Sequence, residues 1–385
     1  MVKIGFVYLD GIYLIPHFIG SAAELHKEPG IQVDILTNEM EHVFLFNTLK
    51  EYDLPASMVK KLPTYLYKKI AYKIQGRKKP SNQYIIKKNM KVFLDYDILV
   101  FTVFNNKRIK RKGRHPKYVF LMHGAGDSNF PFEPEHKEVI EEFCLVTTPG
   151  QKVNDLFAKM GDFSQTKFEI CGYQKLDFVQ KNRKKQDLFD NDNPIVMYNP
   201  HFSEKVNSFY KYGMQILDFF YRHPSYNFIF APHMNLFNTY SRHALPRDMI
   251  PEKYMQAKNI LVDFGSEKSI DMTYTGSADI YIGDVSSQIY EFLLEKPKPA
   301  IFIDVHKIRE RKNNFFKHFE LGKVVENIDN LKELLETSEV WQQEYEEKQR
   351  KAIAYTFDIN PKKTSSKRVA EAILELIDTG QKSVK

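Results

Sequence analysis

The feature that most constrains this chain is a repeated alternation. Short runs of β-branched and aromatic residues are followed, time after time, by segments with helical spacing of apolar residues. "KIGFVYL" leads into the helix-compatible "HFIGSAAELHKE" and then into "IQVDILT", a β-α-β opening. "YDILVFTV", "KYVFLMHG" and "FCLVTTPG" continue the series. Strands that are apolar along their whole length must be covered on both faces, so the pattern predicts a mostly parallel sheet flanked by helices. After the hydrophilic stretch "VQKNRKKQDLFDNDNP" it restarts with "IVMYNP", a helical "VNSFYKYGMQILDFFYRH", "YNFIFAPH", "NILVDFG", "ADIYIGD" and "PAIFID".

A chain of 385 residues exceeds what one hydrophobic core usually organises. The reading is therefore α/β, with two Rossmann-like domains, residues 1–180 and 181–385, whose parallel sheets face each other across a ligand cleft. The second domain carries the helices of the last fifth of the chain. No run of about 18 uncharged apolar residues occurs, and Asp10 interrupts the apolar N-terminal stretch, so the sequence reads as neither membrane-spanning nor secreted. The two cysteines, Cys144 and Cys171, give neither a disulfide scaffold nor a thiolate metal cluster. The net charge of +7 is unevenly placed, with basic residues crowded between Lys60 and Lys117. That interval points to an anionic partner.

In parallel α/β sheets binding residues lie at the carboxyl ends of strands. "IYIGDVSSQIYEFLL" places Asp284, Ser286 and Ser287 between a strand and a helix start. Two readings of the serines stand on this segment alone. They cap the helix, or with its unpaired N–H groups they hold a phosphate. Glu291, four residues beyond Ser287, shares its helical face and is suited to accept ribose hydroxyls. "KYVFLMHGAGDS" puts His123 at a strand end before Gly124 and Gly126, and "YNFIFAPH" does the same for His233. Each is a structural histidine or a ligand-facing one. His201 in "MYNPHF" is a third strand-end histidine, whose plainer reading is a hydrogen-bonded structural residue. No Walker loop, complete dinucleotide fingerprint or zincin spacing occurs.

These motifs, in order, resemble the CDP-glycerol glycerophosphotransferases of teichoic acid and capsular polymer synthesis. They are "HG" at His123 and Gly124, "GYQKLD" at Gly172 to Asp177, "APH" at His233 and "IGDVSS". The resemblance runs roughly from Phe93 to Leu335. It implies a B-type glycosyltransferase fold with the donor nucleotide held by the C-terminal domain. It also implies His123 as catalytic base, His233 acting at the phosphates, Ser286 and Ser287 binding the diphosphate, and Asp284 as the acidic residue before them. Gly124, Lys175 and Glu291 complete the substrate-binding set. The sequence departs from the family pattern at "HGAGDS", at "YNPHF" and at Lys175, where the family has arginine. The implied reaction is attack of an acceptor hydroxyl on the β-phosphorus of CDP-glycerol, releasing CMP. No cofactor is demanded and a divalent cation is compatible. The implied partners are a nucleotide-activated donor, a lipid-linked or polymeric acceptor and the anionic inner face of the cell membrane.

The alternatives are a transferase using a UDP- or CMP-sugar, a UDP-sugar 2-epimerase, and a nucleic-acid binder built on the basic segment. The last leaves the strand-end histidines and serines without a task, so no nucleic-acid partner is expected. "LPTYLYKKIAYKI" reads equally as a core-facing helix and as an amphipathic membrane-surface helix flanked by Lys68, Lys69 and Lys73. A cytoplasmic protein peripheral to the membrane follows from the second reading.

Overall fold

The computed structural model describes residues 1–38, 43–65, 80–106, 109, 115–127, 130–182, 187–237, 244–310 and 315–382. The chain forms two compact units. The first comprises Met1–Ala125, Asn129–Asn182 and Tyr355–Lys385, and the second Gly126–Ser128 and Arg183–Ala354. The segment "LPTYLYKKIAYKI" lies, from Leu66 on, outside the described residues. Among the described residues no helix is long and apolar enough to cross a membrane.

In the first unit β1 (Val2–Tyr8) leads through α1 (Ile19–His26) to β2 (Ile31–Asn38) and β3 (Val59–Leu62), followed by β4 (Ile98–Phe101), β5 (Lys117–Leu121), β6 (Leu145–Thr148) and β7 (Lys167–Ile170). They form one seven-stranded sheet, order β3-β2-β1-β4-β5-β6-β7, in which every pairing is parallel. The order reverses between β1 and β4, where an open parallel sheet leaves a crevice at its carboxyl edge. Helix α2 (Gln174–Asn182) follows β7.

The second unit repeats the plan with β8 (Ile195–Asn199), α3 (Phe209–Arg222), β9 (Asn227–Phe230), β10 (Ile260–Val262), β11 (Ile280–Gly283), α4 (Gln288–Phe292), β12 (Ala300–Ile303) and β13 (Lys323–Val325). Its six strands run in the order β10-β9-β8-β11-β12-β13, again all parallel. The helical spacing in α3 puts Phe209, Tyr212, Ile216, Leu217 and Phe220 on one buried face. Phe220 stacks on Phe228 of β9 with ring centroids 4.0 Å apart. Burying each such side chain contributes roughly 1.5–3 kcal/mol, which is what fixes α3 against the sheet.

The last helix, α5 (Ser365–Lys382), is placed differently from the sequence reading, which attached it to the second domain. It packs against α1 and α2 of the first unit. Gly172 shows why. Its backbone is left-handed, φ +85°, and a Cβ there would strike Ser365 and the Asp358 carbonyl. Asp177 accepts hydrogen bonds from the main-chain N–H groups of Ser365 (3.3 Å) and Ser366 (2.6 Å), capping α5. The glycine and aspartate of "GYQKLD" thus serve to seat the final helix.

Candidate active site

In the first unit the strand-end residues gather around two histidines. His123 lies just after β5, and its ring stands 5.8 Å from that of His17, edge to face. Burial lowers the pKa of His123, against the opposing effects of the Thr102 carbonyl and the Asp10 charge. Its ring is therefore neutral near pH 7, and among the described residues its buried Nδ1 has no hydrogen-bond partner. His17 is held well below the ordinary histidine range by burial first, then by His123 and Lys175. Lys175, at the start of α2, is buried. Gln174 donates from its side chain to the His17 carbonyl at 2.7 Å, tying "GYQKLD" to this histidine. His17 carried no sequence signal: it sits in a 3₁₀ turn, Ile12–His17, inside the β1–α1 connection rather than at a strand end.

The turn after His123 differs from expectation in one respect. Gly126, with φ +79°, is the left-handed residue. At Gly124 an added Cβ would meet only the Met122 methyl at 3.8 Å, so neither backbone conformation nor packing requires glycine there.

In the second unit the turn after β11 is organised by Asp284. Its carboxylate is buried and accepts four hydrogen bonds of 2.7 Å, from the main-chain N–H groups of His201, Ser208 and Val285 and from the Ser208 hydroxyl. The Asp284 carbonyl is 3.0 Å from Nε2 of the buried His318. Burial pushes the carboxyl up to about 6 despite these hydrogen bonds, which favour its charged form. Both oxygens serve the fold, so Asp284 braces the β8–α3 loop against the β11 turn. The sequence pattern counts Asp284 among the substrate-binding residues, whereas here its carboxylate is taken up by the fold.

Ser286 and Ser287 open α4 as expected. Ser286 Oγ accepts from the Gln288 N–H at 3.2 Å. Ser287 is exposed and makes no side-chain capping bond. Helix α4 spans only Gln288–Phe292, so its dipole is small and the hydroxyls carry more of any anion contact. Glu291 is 6% exposed, buried along with Ile289, Tyr290 and Phe292. The one-turn helix is covered on several sides, and Glu291 does not stand in the open beside Ser287. His233 follows β9, with its Nδ1 accepting the Asn235 N–H at 3.2 Å. Burial lowers its pKa to about 4. Among the described residues Glu133, Glu135 and His136 bring ligand atoms within 4.8 Å of one another, apart from the residues named above.

Two all-parallel α/β sheets with histidines and hydroxyls at the carboxyl ends of their strands define the B-type glycosyltransferase class of fold. The family model for CDP-glycerol:poly(glycerophosphate) glycerophosphotransferase matches residues 58–375, and the chain belongs to that family of transferases. The fold is similar to that of the wall teichoic acid polymerase TagF, with TM-score 0.64, 13% identity, and coverage of 98% of this chain and 90% of that one. It is also similar to UDP-GlcNAc 2-epimerase from Neisseria meningitidis bound to UDP-GlcNAc, with TM-score 0.61, 15% identity and coverage of 97% and 100%. The S. aureus MnaA–UDP structure gives 0.60, 10%, and 98% and 97%. At these identities the likeness establishes the fold alone. No curated protein matches the sequence.

Proposed function

We propose that the protein transfers glycerol phosphate from CDP-glycerol to a hydroxyl of a cell-surface polymer and releases CMP. The family match over residues 58–375 carries this reading. The β11 turn supports it, since Ser286 and Ser287 offer hydroxyl donors on a loop that Asp284 holds rigid. The acceptor oxygen bonds to the β-phosphorus, the phosphorus–oxygen bond to CMP breaks, and CMP departs with that electron pair. Neutral His123 takes the acceptor's proton, and donors fixed in advance stabilise the phosphate oxygens. His233, Ser286 and Ser287 are those donors in this reading. Lys175 adds a positive charge in the first unit and Gly124 leaves room for the substrate, while the buried Glu291 is not among the substrate contacts of this reading. The first unit receives the acceptor and the second the donor.

Calorimetric titration with CDP-glycerol, CDP-ribitol, UDP-sugars and CMP-sialic acid tests the donor. CDP-glycerol should bind tightest, and binding of a UDP-sugar alone would move the protein to sugar transfer or epimerisation. The acceptor grows at the inner face of the cell membrane in this reading, and the basic interval Lys60 to Lys117 brings the enzyme there. Flotation with phosphatidylglycerol vesicles should recover the protein at low salt. Replacing Lys68, Lys69 and Lys73 by Glu should abolish this, and unchanged flotation would refute the membrane role.

A further inference from the structure

The dipeptide Pro-His closes two adjacent strands of the second sheet. Pro200-His201-Phe202-Ser203 follows β8, and Pro232-His233-Met234-Asn235 follows β9. The two strands are parallel neighbours. Their hydrogen bonding continues past the strand ends, with the Ala231 N–H donating to the Tyr198 carbonyl at 3.1 Å and the His233 N–H to the Pro200 carbonyl at 2.9 Å. The two imidazoles are thereby set side by side, ring centroids 5.6 Å apart. Phe202 packs on both, 4.4 Å from His201 and 4.7 Å from His233.

Each ring makes the same local bond. His201 Nδ1 accepts the N–H of Ser203 at 3.0 Å, and His233 Nδ1 accepts the N–H of Asn235 at 3.2 Å. A ring nitrogen that accepts a hydrogen bond carries no proton, so in the neutral ring the proton resides on Nε2. Both rings are half-buried. The backbone of His201 is itself locked, its N–H by Asp284 and its carbonyl by the Asn207 side chain.

We propose that His201 and His233 form a paired-imidazole site for a phosphate group, both Nε2–H groups donating to its oxygens, and that His201 is a donor-binding residue equal in weight to His233. This rests on the reading of the second unit as the donor-binding unit and names a second residue of that site. Burial, together with the neighbouring His233 and His318, lowers the pKa of His201 to about 3, and burial alone takes His233 to about 4. The pair therefore presents N–H dipoles rather than full charges. The tautomer also separates this use from metal binding. A metal at Nε2 would require the proton on Nδ1, where it would face the Ser203 and Asn235 N–H groups.

Nitrogen-15 spectra of the histidine-labelled full chain test the site without any substitution. Both rings should show the Nε2–H tautomer at pH 7, and pyrophosphate should shift both Nε2 protons together. His201→Ala and His233→Ala should each weaken pyrophosphate and CDP-glycerol by about tenfold, the effect of losing one hydrogen bond to a charged oxygen. A pyrophosphate response confined to His233, an Nδ1–H tautomer at His201, or unchanged affinity in His201→Ala would each overturn the proposal. If pyrophosphate moves both rings but CDP-glycerol does not bind, the donor assignment fails and the paired site stands. If CDP-glycerol binds and His201 is silent, the reverse holds.

Discussion

Asp284→Ala offers the sharpest test of how the β11 turn is held. The substitution removes the acceptor of four hydrogen bonds. The Ser208 hydroxyl keeps the Tyr198 hydroxyl, 2.9 Å away, as a partner. Three main-chain donors are left, and an orphaned buried donor costs about 1–3 kcal/mol. Against that total, the variant escapes the penalty of a buried charge. A carboxyl raised to about 6 from the ordinary aspartate value of 3.8 corresponds to about 3 kcal/mol at pH 7. The net expectation is a loss of about 3 kcal/mol at pH 7, within a range of about 0–6. The pH dependence has a definite sign. A carboxyl with a raised folded pKa contributes most below its unfolded pKa, and that contribution is lost as pH rises through 6. The deficit of Asp284→Ala relative to wild type should therefore be larger at pH 4.5 than at pH 7. Trp341, the single tryptophan of the chain, lies in the second unit and reports its unfolding by fluorescence in urea. A deficit that grows with pH, or stability unchanged at both pH values, would refute the account of Asp284 as a brace.

His123→Asn should lower kcat about a hundredfold or more with donor affinity nearly intact, as for a lost general base; stopped assays of CMP release check it, and full turnover would remove His123 from the reaction. Ser287→Ala should leave the urea midpoint where it is, because Ser287 makes no capping bond, while the double change with Ser286→Ala weakens CDP-glycerol in calorimetry; the opposite pattern would make the serines caps only. His233 is neutral in the fold and charged in the acid-unfolded chain, so its contribution, present above pH 6.5, should fall by about 3 kcal/mol as pH drops towards 4. His233→Gln should flatten that part of the curve of urea midpoint against pH, and an unaltered slope would contradict the assigned shift. Gly124→Ala should be accepted by the fold yet slow transfer, and unchanged turnover would deny the substrate that space.

Interior strands were legible because strands buried on both faces must be apolar. "KIGFVYL", "YDILVFTV" and "ADIYIGD" all became sheet interiors. The strands that the sequence did not announce are β3, β7 and β13, with "VKKL", "KFEI" and "KVV". All three are edges, where charged side chains are tolerated and discourage pairing with other chains. Strand-end logic put His123, His233 and the β11 turn at the carboxyl ends of strands, where the structure has them. It could not assign Asp284, because its partners His201 and Ser208 are 83 and 76 residues away in sequence. Nor could it place Glu291, since counting faces on a helix does not say how many of them are covered.

The return of α5 to the first unit bears on how the chain is made. The first unit is assembled from stretches on either side of the second, with Arg183–Ala354 lying between them in sequence. During synthesis the first unit's sheet emerges before the second unit but lacks the helix that packs on α1 and α2 until residues 365–382 have left the ribosome. The second unit, contiguous apart from Gly126–Ser128, meets no such delay and can reach its native form first. A stop codon shortly after residue 354 would thus harm the N-terminal unit, the one farther from it in sequence, by stripping the cover from α1 while sparing the unit whose end it cuts.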